Sequence, residues 1–70
     1  MRQVTEAEFN AILQDAKRDN EERASVGLAP LEVTTRSYGN MDGSCGLVEY
    51  FFAGTMFGFI QNGIHHSNGL

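Results

Sequence analysis

Residues 47–60 read LVEYFFAGTMFGFI, and this segment determines the architecture that we expect for the chain. It is rich in the aromatic and β-branched residues that are typical of strands. A break near Gly54 predicts two strands, at about 46–53 and 55–61. An antiparallel sheet with one face in water would show polar side chains at every second position. Here both alternating sets are apolar except for Glu49, which predicts that both faces of the sheet are covered.

Turn signals on either side of this segment add two further strands. The dipeptide Asn-Gly at 62–63 is the strongest short hairpin signal and predicts a short last strand at about 64–67. Upstream, apolar and polar side chains alternate over 31–38, which predicts a half-buried strand. Its two charged residues favour a place toward the edge of the sheet. Residues 39–44, GNMDGS, predict a turn or short loop between this strand and the next.

The front of the chain predicts an amphipathic helix at about 6–24. Thr5 and Glu8 have the spacing of a capping box, in which each side chain bonds the backbone N–H of the other residue. Gly27 suits a left-handed C-terminal cap. Four apolar residues recur at the i, i+3, i+4, i+7 spacing of one helical face, namely Phe9, Ile12, Leu13 and Ala16.

Together these elements predict a single α+β domain over 1–70. One N-terminal amphipathic helix packs on a three- or four-stranded antiparallel sheet at about 31–67, in the order α-β-β-β with a short final strand. A chain of this length buries only about 60% of its unfolded surface, and its one cysteine, Cys45, cannot form an internal disulfide. One helix covers one face of a sheet. We therefore expect another protein, or a second copy in a homodimer, to cover the second face.

The even-numbered face of the sheet is the partner-binding surface that the sequence predicts. Its contact residues are expected to be Tyr38, Tyr50, Phe52 and Met56. Glycines at positions 54 and 58 would let a partner backbone approach closely. A second group of expected contacts is acidic and lies on the exposed side of the helix, at Asp15, Asp19 and Glu22.

The charge balance excludes several classes of partner. The net charge is −4, and only five residues are basic. Direct nucleic-acid binding requires basic residues to neutralise phosphates, and recruitment to anionic lipid requires a polybasic patch. We expect neither. An acidic mimic of nucleic acid is an alternative function, although Lys17, Arg18 and Arg23 interrupt the acidic side of the helix.

No residue pattern indicates catalysis, a cofactor or a metal. Cys45 lies in the sequence GSCG, which matches no catalytic cysteine signature. His65 and His66 are adjacent, and adjacent residues on a strand point to opposite faces, so they do not easily share one metal. The glycines lack the spacing of phosphate-binding loops. We therefore expect a protein that is not an enzyme, with no cofactor.

The other alternative function is that of a small membrane-associated structural protein that uses 47–60 as a hydrophobic helix. Gly54 and Gly58 have the small-xxx-small spacing of packed membrane helices. However, a span needs about 20 apolar residues, and this stretch is shorter and contains Glu49. We therefore expect no membrane association.

The favoured function is that of an inhibitor or regulator that binds and occludes a larger macromolecule. No apolar leader follows Met1, and a single cysteine is typical of a reducing compartment. We expect a complete small protein that acts in the cytoplasm. Its small size and lack of catalytic motifs are typical of inhibitors that phages encode, so a viral protein that acts on a host or defence enzyme is the expected example of this function.

Overall fold

The computed structural model of the chain describes residues 1–39 and 45–70. Its elements, in chain order, are β1 (Arg2–Val4), α1 (Glu6–Ser25), β2 (Val33–Gly39), β3 (Cys45–Phe52), β4 (Thr55–Gln61) and β5 (Ile64–Ser67). All neighbouring strands are antiparallel, and their order across the sheet is β1-β5-β4-β3-β2. The predicted α+β class, with one N-terminal helix on an antiparallel sheet, is confirmed.

The sheet has five strands rather than three or four, because a strand precedes the helix. Val4 pairs with His65, and its side chain is buried. Three residues are too few to show the alternation that marks a strand in a sequence. Only the pairing of this segment with β5, more than 60 residues away in the chain, defines it as a strand.

The helix begins and ends almost where its cap residues predict. The backbone N–H of Glu8 donates to Thr5 Oγ1 over 3.1 Å, and the backbone N–H of Thr5 donates to Glu8 Oε1 over 3.2 Å. At the other end Gly27 has φ +81°, and the N–H of Leu28 donates to the carbonyl of Arg23 over 2.8 Å. This is the hydrogen bond of a Schellman cap, which satisfies a free carbonyl of the last turn.

The linker after the helix is held by one polar side chain. Asn20 donates from Nδ2 to the carbonyl of Leu31 and accepts at Oδ1 from the N–H of the same residue, both over 2.8 Å. The backbone of Leu31 is therefore occupied by the helix. This explains why β2 begins at Val33 and not at 31 as the alternation predicts.

Two tight turns connect the last three strands. Asn62 and Gly63 have φ values of 50° and 79°, and Ala53 and Gly54 have φ values of 53° and 83°. Left-handed values at both central residues are the signature of a type I′ hairpin turn. The hairpin predicted from Asn-Gly and the break predicted near Gly54 are confirmed. Of the loop predicted at 39–44, residues 40–44 lie outside the described residues.

The core is small and lies between α1 and one face of the sheet. Phe9 is 1% exposed, and its ring packs edge-on against Tyr50 and His65, with centroid distances of 5.0 and 5.3 Å. The buried apolar residues are Val4, Phe9, Ala16 and Phe57. Around them pack the half-buried side chains of Ile12, Leu13, Tyr50, Phe52 and Ile60.

A β-bulge in β4 changes which side chains face the helix. Tyr50 pairs with Gly58 but Phe51 pairs with Met56, so Phe57 has no partner on β3. The carbonyl of Phe57 accepts instead from Ser67 Oγ over 2.6 Å. An extra residue of this kind interrupts the alternation of a strand. Phe57 therefore enters the core, and Met56 moves to the opposite face with Phe51.

Candidate functional site

The sheet face opposite α1 is the candidate site, and we refer to it as the open face. Residues paired directly across strands share a face, so the register identifies its members. They are Gln3, Thr34, Arg36, Tyr38, Leu47, Glu49, Phe51, Met56, Phe59, Gln61, Ile64 and His66. Among the described residues α1 is the one helix, and it packs on the other face.

Apolar side chains form the centre of the open face. Phe51 and Phe59 are half-buried, although no helix packs on them in the part of the chain that the structure describes. Around them Met56 is 37% exposed, and Tyr38 and Ile64 are each 45% exposed. A water-facing side of an antiparallel sheet ordinarily carries polar residues. This side presents an accessible apolar patch instead.

One basic and one acidic side chain lie beside each other on the open face. Arg36 pairs directly with Glu49 across the β2–β3 ladder, and its Nη1 donates to the hydroxyl of Tyr38 over 3.5 Å. That hydrogen bond raises the pKa of Arg36 above its ordinary value, with a smaller contribution from the carboxylate of Glu49. Arg36 and Glu49 are therefore neighbours of opposite charge at the β2 side of the open face.

The two adjacent histidines lie on opposite faces, as the alternation of a strand predicts. His66 is on the open face, where its ring stacks on Phe59 at 4.6 Å with an angle of 16°. His65 is on the other face against Phe9. Within residues 1–39 and 45–70, no group of three His, Cys, Asp or Glu side chains comes together as a metal site.

The four predicted sheet contacts are divided between the two faces. Tyr38 and Met56 lie on the open face, whereas Tyr50 and Phe52 lie on the helix side. Tyr50 contacts Phe9, and Phe52 packs at the margin of the core. The four residues therefore do not share one even-numbered face, because α1 covers the even positions of β3 and the bulge moves Met56 to the opposite face. Their role as partner contacts stays a prediction.

Three apolar residues of the open face were not predicted from the sequence, namely Phe51, Phe59 and Ile64. Gly58 offers the signal that could have found them. A Cβ at this position would lie 2.7 Å from Cε2 of Phe9. The glycine therefore admits the chain's own helix, and not a partner backbone as its position in the sequence suggested.

The acidic residues of the helix lie on the other side of the molecule. Asp15 forms an ion pair with Arg18 over 3.3 Å. Asp19 and Glu22 line a shallow cavity of about 430 Å³ at the end of α1, beside the exposed side chain of Leu28. The structure does not bring these carboxylates together with Tyr38 and Met56, since the sheet lies between the two groups.

The 47–60 segment forms β3 and β4, so the membrane helix considered for it is wrong. In the described part of the chain, no helix combines the length and apolar character needed to cross a membrane.

The chain matches no protein-family profile, no curated protein and no solved structure.

Proposed function

We propose that this chain is a small, acidic, non-enzymatic interaction protein that acts in the cytoplasm. It inhibits or regulates a larger protein by binding and occluding it, and the binding surface is the open face. The observation that supports this proposal is an apolar centre, formed by Phe51, Met56 and Phe59, on a sheet face that the helix leaves uncovered. Exposed apolar patches on small proteins commonly mark interaction sites.

The exposure of individual side chains on the open face supports the same proposal. Met56 is 37% exposed, and Tyr38 and Ile64 are each 45% exposed. A standard protein interface buries about 800 Å² on each partner. A partner on the open face would therefore cover surface that the fold leaves in water.

The partner that fits this surface is a protein with a flat apolar patch and a basic surround. A sheet face is broad and flat, and the apolar centre of the open face extends over β3 and β4. The chain has a net charge of −4. A negative protein is attracted over long range toward a positive surface, which raises the association rate.

Capture from an extract of the source cells tests this proposal when matched variants are compared. Met56→Glu with Ile64→Glu places two carboxylates on the open face at exposed positions away from β2. Asp19→Asn with Glu22→Gln changes two exposed helix positions as the control. Quantitative mass spectrometry should find a protein that the natural chain and the helix variant retain and the open-face variant loses, because buried unpaired carboxylates oppose binding.

The opposite pattern would support the acidic-mimic alternative. In that case the helix variant loses the captured protein, the open-face variant keeps it, and binding weakens steeply with salt. Capture that is equal on all three forms would contradict both functions. Circular dichroism of each variant shows beforehand that the helix and the sheet are retained.

A further inference from the structure

In the described part of the chain, β2 is an edge strand, and no other strand pairs with its outer side. All seven residues of this strand are exposed. The N–H of Ala53 donates to the carbonyl of Glu32, so the even-numbered residues of this segment turn their backbone groups toward β3. Orientation alternates along an antiparallel strand. The groups that point outward therefore belong to Val33, Thr35 and Ser37.

Among the residues that the structure describes, the β1 edge of the sheet carries more of the features that prevent pairing than the β2 edge does. Strand β1 has only three residues, and the chain turns into the helix directly after it, at Thr5. Nη1 of Arg2 in this strand forms an ion pair with Oε2 of Glu8 over 3.6 Å. Strand β2 is more than twice as long and contains no proline or lysine, and its register is regular until Tyr38. Short strands, charged side chains, above all lysine, proline and bulges are the features that normally prevent edges from pairing. Strand β2 has one charged residue, Arg36, and a bulge only at its end, between Tyr38 and Gly39.

We infer that β2 pairs with β2 of a second copy of this chain, antiparallel, about a two-fold axis at Thr35. In this register Thr35 lies opposite Thr35 of the second copy, and Val33 lies opposite Ser37. All three outward residues of both strands then form hydrogen bonds. Threonine pairs are favourable across strands, and like charges directly opposite are not. A register centred on Arg36 would oppose two arginines, whereas this one places Arg36 beside Thr34.

The paired edges produce one sheet of ten strands with both helices on the same side. A two-fold axis perpendicular to the sheet requires this arrangement. Both faces of β2 are exposed in the single chain, so neither helix obstructs the approach. The two open faces become neighbours and stay accessible. This inference therefore does not depend on the proposed function, and the two surfaces can be tested separately.

Sedimentation equilibrium in the high micromolar range tests the edge pairing. The natural chain should sediment at twice 7.7 kDa. Thr35→Lys and Thr35→Glu should each sediment as monomers, because like charges then lie opposite one another at the axis. An equimolar mixture of these two variants should restore the dimer. Thr35→Ala, which keeps the backbone groups, should remain dimeric.

The backbone itself is tested by Thr35→Pro. Proline removes the outward N–H of this residue and no hydrogen bond to β3, and proline is tolerated on an edge strand. We expect a folded monomer by circular dichroism and sedimentation.

Three results would overturn the inference. The first is a monomeric natural chain. The second is a failure of the lysine and glutamate variants to form a mixed dimer. The third is loss of the dimer in the Met56→Glu, Ile64→Glu variant with its retention in Thr35→Lys, which would place the second copy on the open face. None of these results affects the capture experiment, in which a different protein is measured.

Discussion

Gly58 leaves the space in which the ring of Phe9 sits. A Cβ at this position would lie 2.7 Å from Cε2 of Phe9 and 2.8 Å from the carbonyl oxygen of His66. The second contact is with backbone that is itself paired in the sheet, so it cannot easily move away. One missing methyl group therefore determines how closely α1 approaches the sheet, and thus which face the helix covers.

Gly58→Ala should destabilise the fold. Overpacking of a core costs about 1–3 kcal/mol, and urea unfolding should show a decrease of this size in the free energy of unfolding. In a Phe9→Leu background the added cost of Gly58→Ala should be smaller, because the ring atoms that the methyl group meets are gone. If Gly58→Ala lowers the free energy of unfolding equally in both backgrounds, the ring of Phe9 is not what limits the space at position 58.

Ser67 is a second residue on which the core depends. It is fully buried, and its hydroxyl donates to the bulged carbonyl of Phe57 over 2.6 Å and accepts from the N–H of Gly69 over 3.0 Å. Ser67→Ala leaves both groups without this partner. The free energy of unfolding should therefore fall by about 1–3 kcal/mol, the usual cost of removing a buried hydrogen-bond partner.

Thermal and urea unfolding measure this loss, and Ser25 offers a matched control. The hydroxyl of Ser25 donates to the carbonyl of Glu22 over the same 2.6 Å, but at an exposed position. Ser25→Ala should change stability by less than about 0.5 kcal/mol, because water replaces the lost bond. Similar losses at both serines would contradict a special role for the buried bond.

At the scale of elements, the helix start is the best-determined feature of the chain. The backbone N–H of Thr5 donates to the carboxylate of Glu8 and lowers the pKa of that carboxyl. The Thr5 side chain and the charge of Arg2 add to this shift. A carboxyl with a lowered pKa in the folded state stabilises that state above its unfolded pKa. The contribution is lost as the pH falls through the folded pKa.

Glu8→Gln tests this pH dependence, since glutamine retains the capping geometry without the charge. At neutral pH the natural chain should have the higher melting temperature. The difference should shrink as the pH falls through the pKa of Glu8 and vanish at more acid pH. Melting curves by circular dichroism across this range provide the measurement. A difference that stays constant with pH would show that the charge contributes nothing.

The helix and the strands differ in how well the sequence predicts them. Caps are local signals, so Thr5, Glu8 and Gly27 predict the helix to within one residue of its observed end. The Asn62-Gly63 hairpin is equally local. Strand β1 and the bulge at Phe57 depend on partners distant in the chain, and neither was predictable. Because both alternating sets of 47–60 are apolar, a slip of one residue at the bulge leaves no visible trace in the pattern.

The dependence on contacts between distant residues also explains which part of the site was predicted. The sequence indicates correctly that one apolar sheet face lacks a helix, since one helix cannot cover two faces. It does not indicate which face, because that depends on the fit of Phe9 against Gly58. All four predicted contacts were assigned to one face, whereas the structure places Tyr38 and Met56 on the open face and Tyr50 and Phe52 on the helix side.

At the scale of the whole molecule, the open face should contribute little to folding. Met56 and Ile64 are exposed, and surface substitutions usually change stability by about 0.5 kcal/mol or less. We expect the Met56→Glu, Ile64→Glu variant to unfold at nearly the same urea concentration as the natural chain. Phe57→Ala, which empties a core position 3% exposed, should lose about 3–5 kcal/mol. A large loss in the open-face variant would mean that this face is structural.

The affinity of the captured protein for the open-face variant is the most direct test of this account. Titration calorimetry compares the natural chain, the Met56→Glu, Ile64→Glu variant, and the Asp19→Asn, Glu22→Gln control against that protein. We predict that the open-face variant binds at least about tenfold more weakly, a loss of about 1.4 kcal/mol, and that the helix control binds like the natural chain. Unchanged affinity of the open-face variant would contradict the claim that this face binds the partner.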